Sequence, residues 1–237
     1  MILSKLELHN NSFDVSFFHI QFQGLNPLPQ PAVADELLTR LNADDTENDS
    51  NYKVVRYMNL AMNPVPGEES AVVDFAICLL TLLGYAFRTR MIRTQVDVPL
   101  TICGEQCHAT TDVCVVDEDD ILLLVQEDKQ HKERKDLEPQ LVAQAIAAFQ
   151  TNNTRRTRVL GQVANDAKVM PGIILIGSSP TFYKIPVTKD LAQAVAQGRF
   201  SAIPIVVYAH LPAMPRPAHR LSEGMKPLDN RRHILAC

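Results

Sequence analysis

The sequence has no tryptophan, only 9 glycines beside 15 prolines, and aromatic residues fill 6% of its 237 positions. With 46% hydrophobic and 21% charged residues it matches neither a disordered nor a fibrous chain, and an ordinary globular α/β or α+β domain remains. Long hydrophobic runs are missing: the longest nearly apolar stretch, Phe75 to Leu83, is far short of the roughly 20 residues a helix needs to cross a bilayer. Met1 to Phe22 carries Lys5, Glu7, His9 and Asp14 among its apolar residues, so it does not read as a signal peptide, and an intracellular protein without membrane association is expected. The 5 cysteines are odd in number and mostly embedded in apolar segments, which predicts reduced, buried thiols rather than a disulfide framework. Charge is not strongly one-sided either: 23 Lys and Arg against 27 Asp and Glu give -4, which excludes a wholly cationic nucleic-acid coater and leaves room for a local basic groove.

Several familiar sites are absent. Cys103-Gly-Glu-Gln-Cys107-His108 holds metal-like residues, but its spacing fits a hairpin turn and no second Cys/His pair completes a zinc site. Gly177-Ser178-Ser179-Pro180 lacks the lysine and helix of a phosphate-binding loop, no G-x-S-x-G elbow occurs, and no internal repeat is visible.

What is present divides into three parts. Residues 1–52 form an N-terminal extension expected to pack on the main body, with a strand pair within Leu6 to Phe22, a short helix from Ala34 to Leu41, and an acidic loop at 42–51 that lacks apolar periodicity. Residues 53–211 hold the main domain. There, acidic residues in the first turn and Gly84 past the end bracket a helix over Ala71 to Leu83. Phe87 to Val98, Leu100 to His108, Thr110 to Val116 and Ile121 to Lys129 read as an antiparallel meander with a turn at Asp117 to Asp120. Ile121 to Val125 is apolar on both faces, which predicts a central, doubly covered strand. Asp136 caps a helix from Leu137 to Gln150. Strands at Met170 to Ile176 and Phe182 to Val187, a helix from Leu191 to Gln197 and a strand at Ile203 to Ala209 complete the domain. Residues 212–237, proline-rich and about +3 in charge, read as an extended basic arm.

Chemistry concentrates in the segment from Thr111 to Lys129. An even turn centred between Glu118 and Asp119 sets Val116 opposite Ile121, Asp112 opposite Val125 and Thr110 opposite Glu127. Asp112 and Glu127 are then diagonal neighbours on one face, Lys129 joins them, and Asp128 points away. An odd-residue turn would flip Asp112 to the other face. Two clustered carboxylates repel unless a divalent cation lies between them, and oxygen ligands of this kind suit Mg²⁺ or Mn²⁺. Such a site would polarise a phosphoryl oxygen while the lysine steadies charge or water.

In residues and in order this resembles the PD-(D/E)XK, or restriction-endonuclease-like, nuclease superfamily: a helix with an acidic residue, a hairpin carrying Asp112, a strand ending Glu127-Asp128-Lys129, then a helix and another strand. The likeness runs from about Glu68 to Val187, with Thr111 where the signature has proline. It implies a three-layer α/β core with a central mixed sheet flanked by helices. It further implies Asp112 and Glu127 as metal ligands with the Asp128 carbonyl, and Lys129 as the catalytic lysine. Some members add a glutamate from the first helix, here Glu69 or its neighbour Glu68, which equally complement the helix dipole. Some add a glutamine from the second helix, here Gln140, with Gln144 one turn on where the family pattern has an aromatic residue. Lys132, Arg134, Lys135, Arg155, Arg156 and Arg158 follow the motif and would line a phosphate backbone. The expectation is a metal-dependent nuclease acting on DNA in preference to RNA, and as a homodimer if both strands of a duplex are cut. The alternative is an inactive member of the fold serving as a binding or interaction module.

Overall fold

In the computed structural model, which describes residues 33–63, 70–118, 120–127, 137–201 and 203–237 and a short strand at His9–Asn10 (β1), the elements largely follow this punctuation. Helix α3 spans Ala71–Leu82. It ends where Gly84 turns left-handed, at φ +78, letting the Tyr85 N–H reach Leu80 O at 3.0 Å. Its buried stripe, Val72, Phe75, Ala76 and Leu80, faces the sheet.

Three antiparallel strands follow: β2 (Arg90–Ile102), β3 (Glu105–Asp117) and β4 (Asp120–Glu127). The sequence reading breaks β2 and β3 at Pro99 and Ala109. Instead each runs unbroken for 13 residues, because Cys103 and Gly104 together adopt the left-handed conformations of a tight hairpin turn, φ +54 and +82. Helix α4 then covers Leu137–Arg158, beyond the expected end at Gln150, and returns the chain to β5 (Ala167–Ile176), parallel to β4. Strands β6 (Ser179–Thr188) and β7 (Tyr208–His210) add antiparallel, with α5 (Lys189–Ala196) between them, while 203–207 is not part of a strand. The mixed sheet has the order β1-β7-β6-β5-β4-β3-β2, which puts β4 in its interior as its apolar run predicts.

Helices on both faces make three layers. On one face α4 lays Leu141, Ala145, Ala148 and Phe149 against Leu124, Met170, Ile174 and Tyr183. Its run of alanines lets the helix axis approach the strands closely, and each large side chain buried there contributes about 1.5–3 kcal/mol relative to exposure. On the other face α3 and its neighbours cover Val113, Val115, Leu123 and Val125. Among the described residues no helix is long and apolar enough to cross a membrane.

Three expectations are corrected. The acidic loop at 42–51 is largely structured: Ala43–Asp45 is a 3-10 turn, and Asn48 caps a helix, α2 (Asp49–Met62), by accepting from the Ser50 and Asn51 N–H groups. Val54, Val55, Met58 and Ala61 bury the inner face of α2. The C-terminal segment is no extended arm. It folds into short helices, α6 (Arg220–Glu223) and α7 (Leu228–Leu235). These bury Arg231, which donates to the carbonyls of Leu37 at 3.0 Å and Arg40 at 2.8 Å beside α1 (Asp35–Thr39). Burial pushes the Arg231 guanidinium down to about 10. Its basic residues thus serve the fold, since a guanidinium taken from water needs several acceptors. The five cysteines are free, as expected, but only Cys114 is fully buried and Cys103 is exposed at its turn.

Candidate functional site

Asp112 on β3 and Glu127 at the end of β4 are both buried, 8% and 4% exposed. Their relation differs from the expected one. At the hairpin tip Val116 does face Ile121, but the ladder slips there, so that Val115 faces Leu123 and Val113 faces Val125. Leu122 is the extra residue of a β-bulge. Continued along the strands, this register puts Asp112 beside Gln126, on the α4 side of the sheet. Glu127, two residues past Val125, belongs to the α3 side. The convergence of both carboxylates on a single face is therefore corrected, because alternation alone does not reveal a bulge.

The two residues still meet. Asp112 Oδ2 accepts from the Glu127 N–H at 3.0 Å and from Gln126 Nε2 at 2.5 Å. Gln126 Oε1 in turn accepts from Gln144 Nε2, which also donates to Thr110 O at 2.7 Å. Gln144 is wholly buried, whereas Gln140, one turn earlier on α4, is exposed. On the outer side of β3, Gln95 of β2 lies between the pairs Thr94–Val113 and Val96–Thr111, hence opposite Asp112, and has a left-handed backbone at φ +49. A non-glycine residue held there is strained by about 1–3 kcal/mol, and such strain is concentrated at functional sites.

Glu69, Glu68, Asp128, Lys129, Lys132, Arg134 and Lys135 lie outside the described residues. Arg155, Arg156 and Arg158 are in the last turn of α4, at the other end of β4. Arg155 Nη1 lies 3.6 Å from Asp120 Oδ1, and Arg156 Nε donates to Val163 O at 3.2 Å. Asp120 and Glu127 are seven residues apart on one strand, about 23 Å. These arginines are not brought to the carboxylates. Lys168 joins them near Asp120 and Arg156, and burial pushes its ammonium below the usual lysine range.

Sequence reasoning missed Gln126, although a polar residue closing the run Ile121 to Val125 was a signal for a buried polar role. It also missed Glu138 in the first turn of α4, buried and accepting from Tyr183 Oη at 2.7 Å. Among the described residues no three His, Cys, Asp or Glu side chains gather as a metal cluster. Asp112 and Glu127 are oxygen donors of the type a hard divalent cation takes and both are buried, but their side chains leave the sheet on opposite faces, and it is the Glu127 main chain that the hydrogen bond joins to Asp112. No family model matches the chain, and no curated protein does.

Proposed function

We propose that this chain is a metal-dependent nuclease of the restriction-endonuclease-like fold, hydrolysing phosphodiester bonds of DNA in preference to RNA. The observation that carries the reading is the bond from the Glu127 N–H to Asp112 Oδ2, which joins two buried carboxylate residues at one end of a central hairpin. An antiparallel β2–β3–β4 meander followed by α4 and the parallel strand β5 supports the fold assignment.

Asp112 and Glu127, with the Asp128 carbonyl, would hold Mg²⁺ or Mn²⁺, which when bound supplies Lewis acidity at a phosphoryl oxygen and a more acidic water. The chain's own part is to set the Asp112 carboxylate through Gln126 and the Glu127 main chain. Lys129, two residues after Glu127, steadies the negative charge that grows on the phosphate oxygens. Lys132, Arg134 and Lys135 follow closely in sequence and supply phosphate contacts, and a homodimer would cut both strands of a duplex.

Supercoiled plasmid and single-stranded DNA incubated with the full chain and Mn²⁺ provide the test. Cleavage is expected, and Lys129→Ala should slow it by roughly 10²–10³-fold, the usual cost of removing one group that stabilises developing negative charge. Asp112→Asn should remove both cleavage and Mn²⁺ binding. Cleavage that survives both substitutions overturns the site. A folded protein that binds nucleic acid without metal and never cuts it points to the binding module instead.

A further inference from the structure

We propose that Gln144 and Gln126 form a positioning relay that carries orientation from helix α4 to the Asp112 carboxylate. Around this point the layer between α4 and the sheet is built mainly from apolar side chains, among them Cys114, Leu124, Leu141, Ala145 and Ala148. Two buried primary amides are costly there, the more so as Gln144 Oε1 meets no hydrogen-bond partner among the described residues, and aliphatic side chains would pack with less loss. Their bonds run in one direction. Gln144 Nε2 spends its two protons on Thr110 O and Gln126 Oε1. This turns the Gln126 amide so that its nitrogen faces Asp112 Oδ2 at 2.5 Å and the Glu127 carbonyl at 3.4 Å. With the Glu127 N–H as second donor to the same oxygen, the Asp112 carboxylate has one rotational position before any ligand arrives.

The parts come from different levels of the fold. Gln144 belongs to a helix anchored across the sheet, Gln126 to the interior strand, and Asp112 to the strand beyond it. Gln126 and Glu127 are consecutive, so one contributes its side chain and the other its main chain to a single oxygen. The bulge at Leu122 produces this, because without the slip Asp112 would oppose Val125. Neither glutamine is a ligand in this account. They fix the orientation of one, as outer partners of metal-binding carboxylates do.

The inference rests on the nuclease reading for its metal and activity readouts, and its spectroscopic readout is independent of that reading. In ¹⁵N spectra of the full chain, the side-chain NH₂ protons of Gln126 and Gln144 should exchange slowly, and Gln144→Leu should move the Gln126 resonance. Isothermal titration with Mn²⁺ should show Gln126→Leu and Gln144→Leu each weakening binding about 10–100-fold. The double variant should be no weaker than Gln126→Leu alone, since both act along one path. Cleavage should lose kcat while KM for DNA is unchanged. Gln144→Glu, nearly isosteric but without the N–H donors, should behave as Gln144→Leu does and covers the case in which the leucine variant fails to fold. Gln126 amide protons that exchange as fast as those of a free glutamine, or folded variants that bind Mn²⁺ as the wild type does, overturn the relay. Slow amides in a wild-type chain that neither binds Mn²⁺ nor cuts DNA overturn the nuclease reading alone.

Discussion

Asn152 of α4 holds the main chain of Ile121 at both of its polar groups: Oδ1 accepts from the Ile121 N–H and Nδ2 donates to the Ile121 carbonyl, each at 2.9 Å. A side-chain amide here copies the pairing of a neighbouring strand at the bulged tip of β4, where the β3 ladder is irregular. Asn152→Ala leaves two buried main-chain groups unmatched and should cost about 2–4 kcal/mol. Urea unfolding measures this directly, and a loss under about 0.5 kcal/mol, the range of an ordinary surface change, would refute the role.

The ion pairs of Arg216 carry a pH signature. Its Nη1 and Nη2 reach the two oxygens of Asp229 at 2.6 and 2.8 Å, and its Nε donates to Glu223 at 2.7 Å. The hydrogen bonds from Arg216 hold the Asp229 carboxyl down at about 2, below its ordinary 3.8. A carboxylate with a depressed folded pKa stabilises the fold above its unfolded pKa and loses that contribution as pH falls through the folded one. The urea midpoint of wild type should therefore exceed that of Asp229→Asn by a small, salt-sensitive margin above about pH 4, and the two should converge by about pH 2. Curves that stay equally separated across that window would sink the assignment.

Gly224 admits no side chain. Its φ is +52, and a Cβ built there would overlap Ser178 Oγ and lie 2.7 Å from Met62 Sδ. Ser178 Oγ also accepts from the Met225 N–H at 2.9 Å, so this crossing ties the β5–β6 turn and the end of α2 to the C-terminal helices. Gly224→Ala combines a left-handed alanine with a clash and should destabilise by about 2–4 kcal/mol. Limited proteolysis should then cut first within 212–237, and a variant as resistant as wild type would count against the tie.

Thiol chemistry separates the cysteines. Burial pushes the Cys114 thiol up, and that of Cys237 up to about 11, whereas Cys103 stands exposed at its hairpin turn. A disulfide reagent at about pH 8 should label Cys103 first and Cys114 only on unfolding, because the thiolate is the reactive form and needs access. Peptide mapping by mass after short exposures decides it, and early labelling of Cys114 would contradict the packing.

Much of this fold is legible in residue order. The apolar run of β4 and the stop of α3 at Gly84 each announce an element through local chemistry. Helix α2 hid behind its acidic start, although Val54, Val55, Met58 and Ala61 carry helical spacing and Asn48 is a standard cap. Proline and basic counts concealed the C-terminal helices, because composition does not say whether an arginine faces water or, like Arg231, the carbonyls of α1. At the candidate site the residue types in the hairpin were legible and their sidedness was not. Choosing between Gln140 and Gln144 needs the rotation of α4 about its axis, and pairing Asp112 with Gln126 rather than Val125 needs the bulge, which leaves no trace in hydrophobic period.

That bulge also makes the two strands unequal in what they can lose. Between Ile121 and Val125, β4 holds one residue more than its partner needs. A deletion there, usually ruinous in an interior strand, takes up the slack, straightens the ladder and keeps Asp112 across from Gln126. The same deletion between Val113 and Val116 doubles the mismatch and draws Asp112 away from the Gln126 amide and the Glu127 N–H. The strand bearing Glu127 keeps a residue in reserve, and the strand bearing Asp112 keeps none.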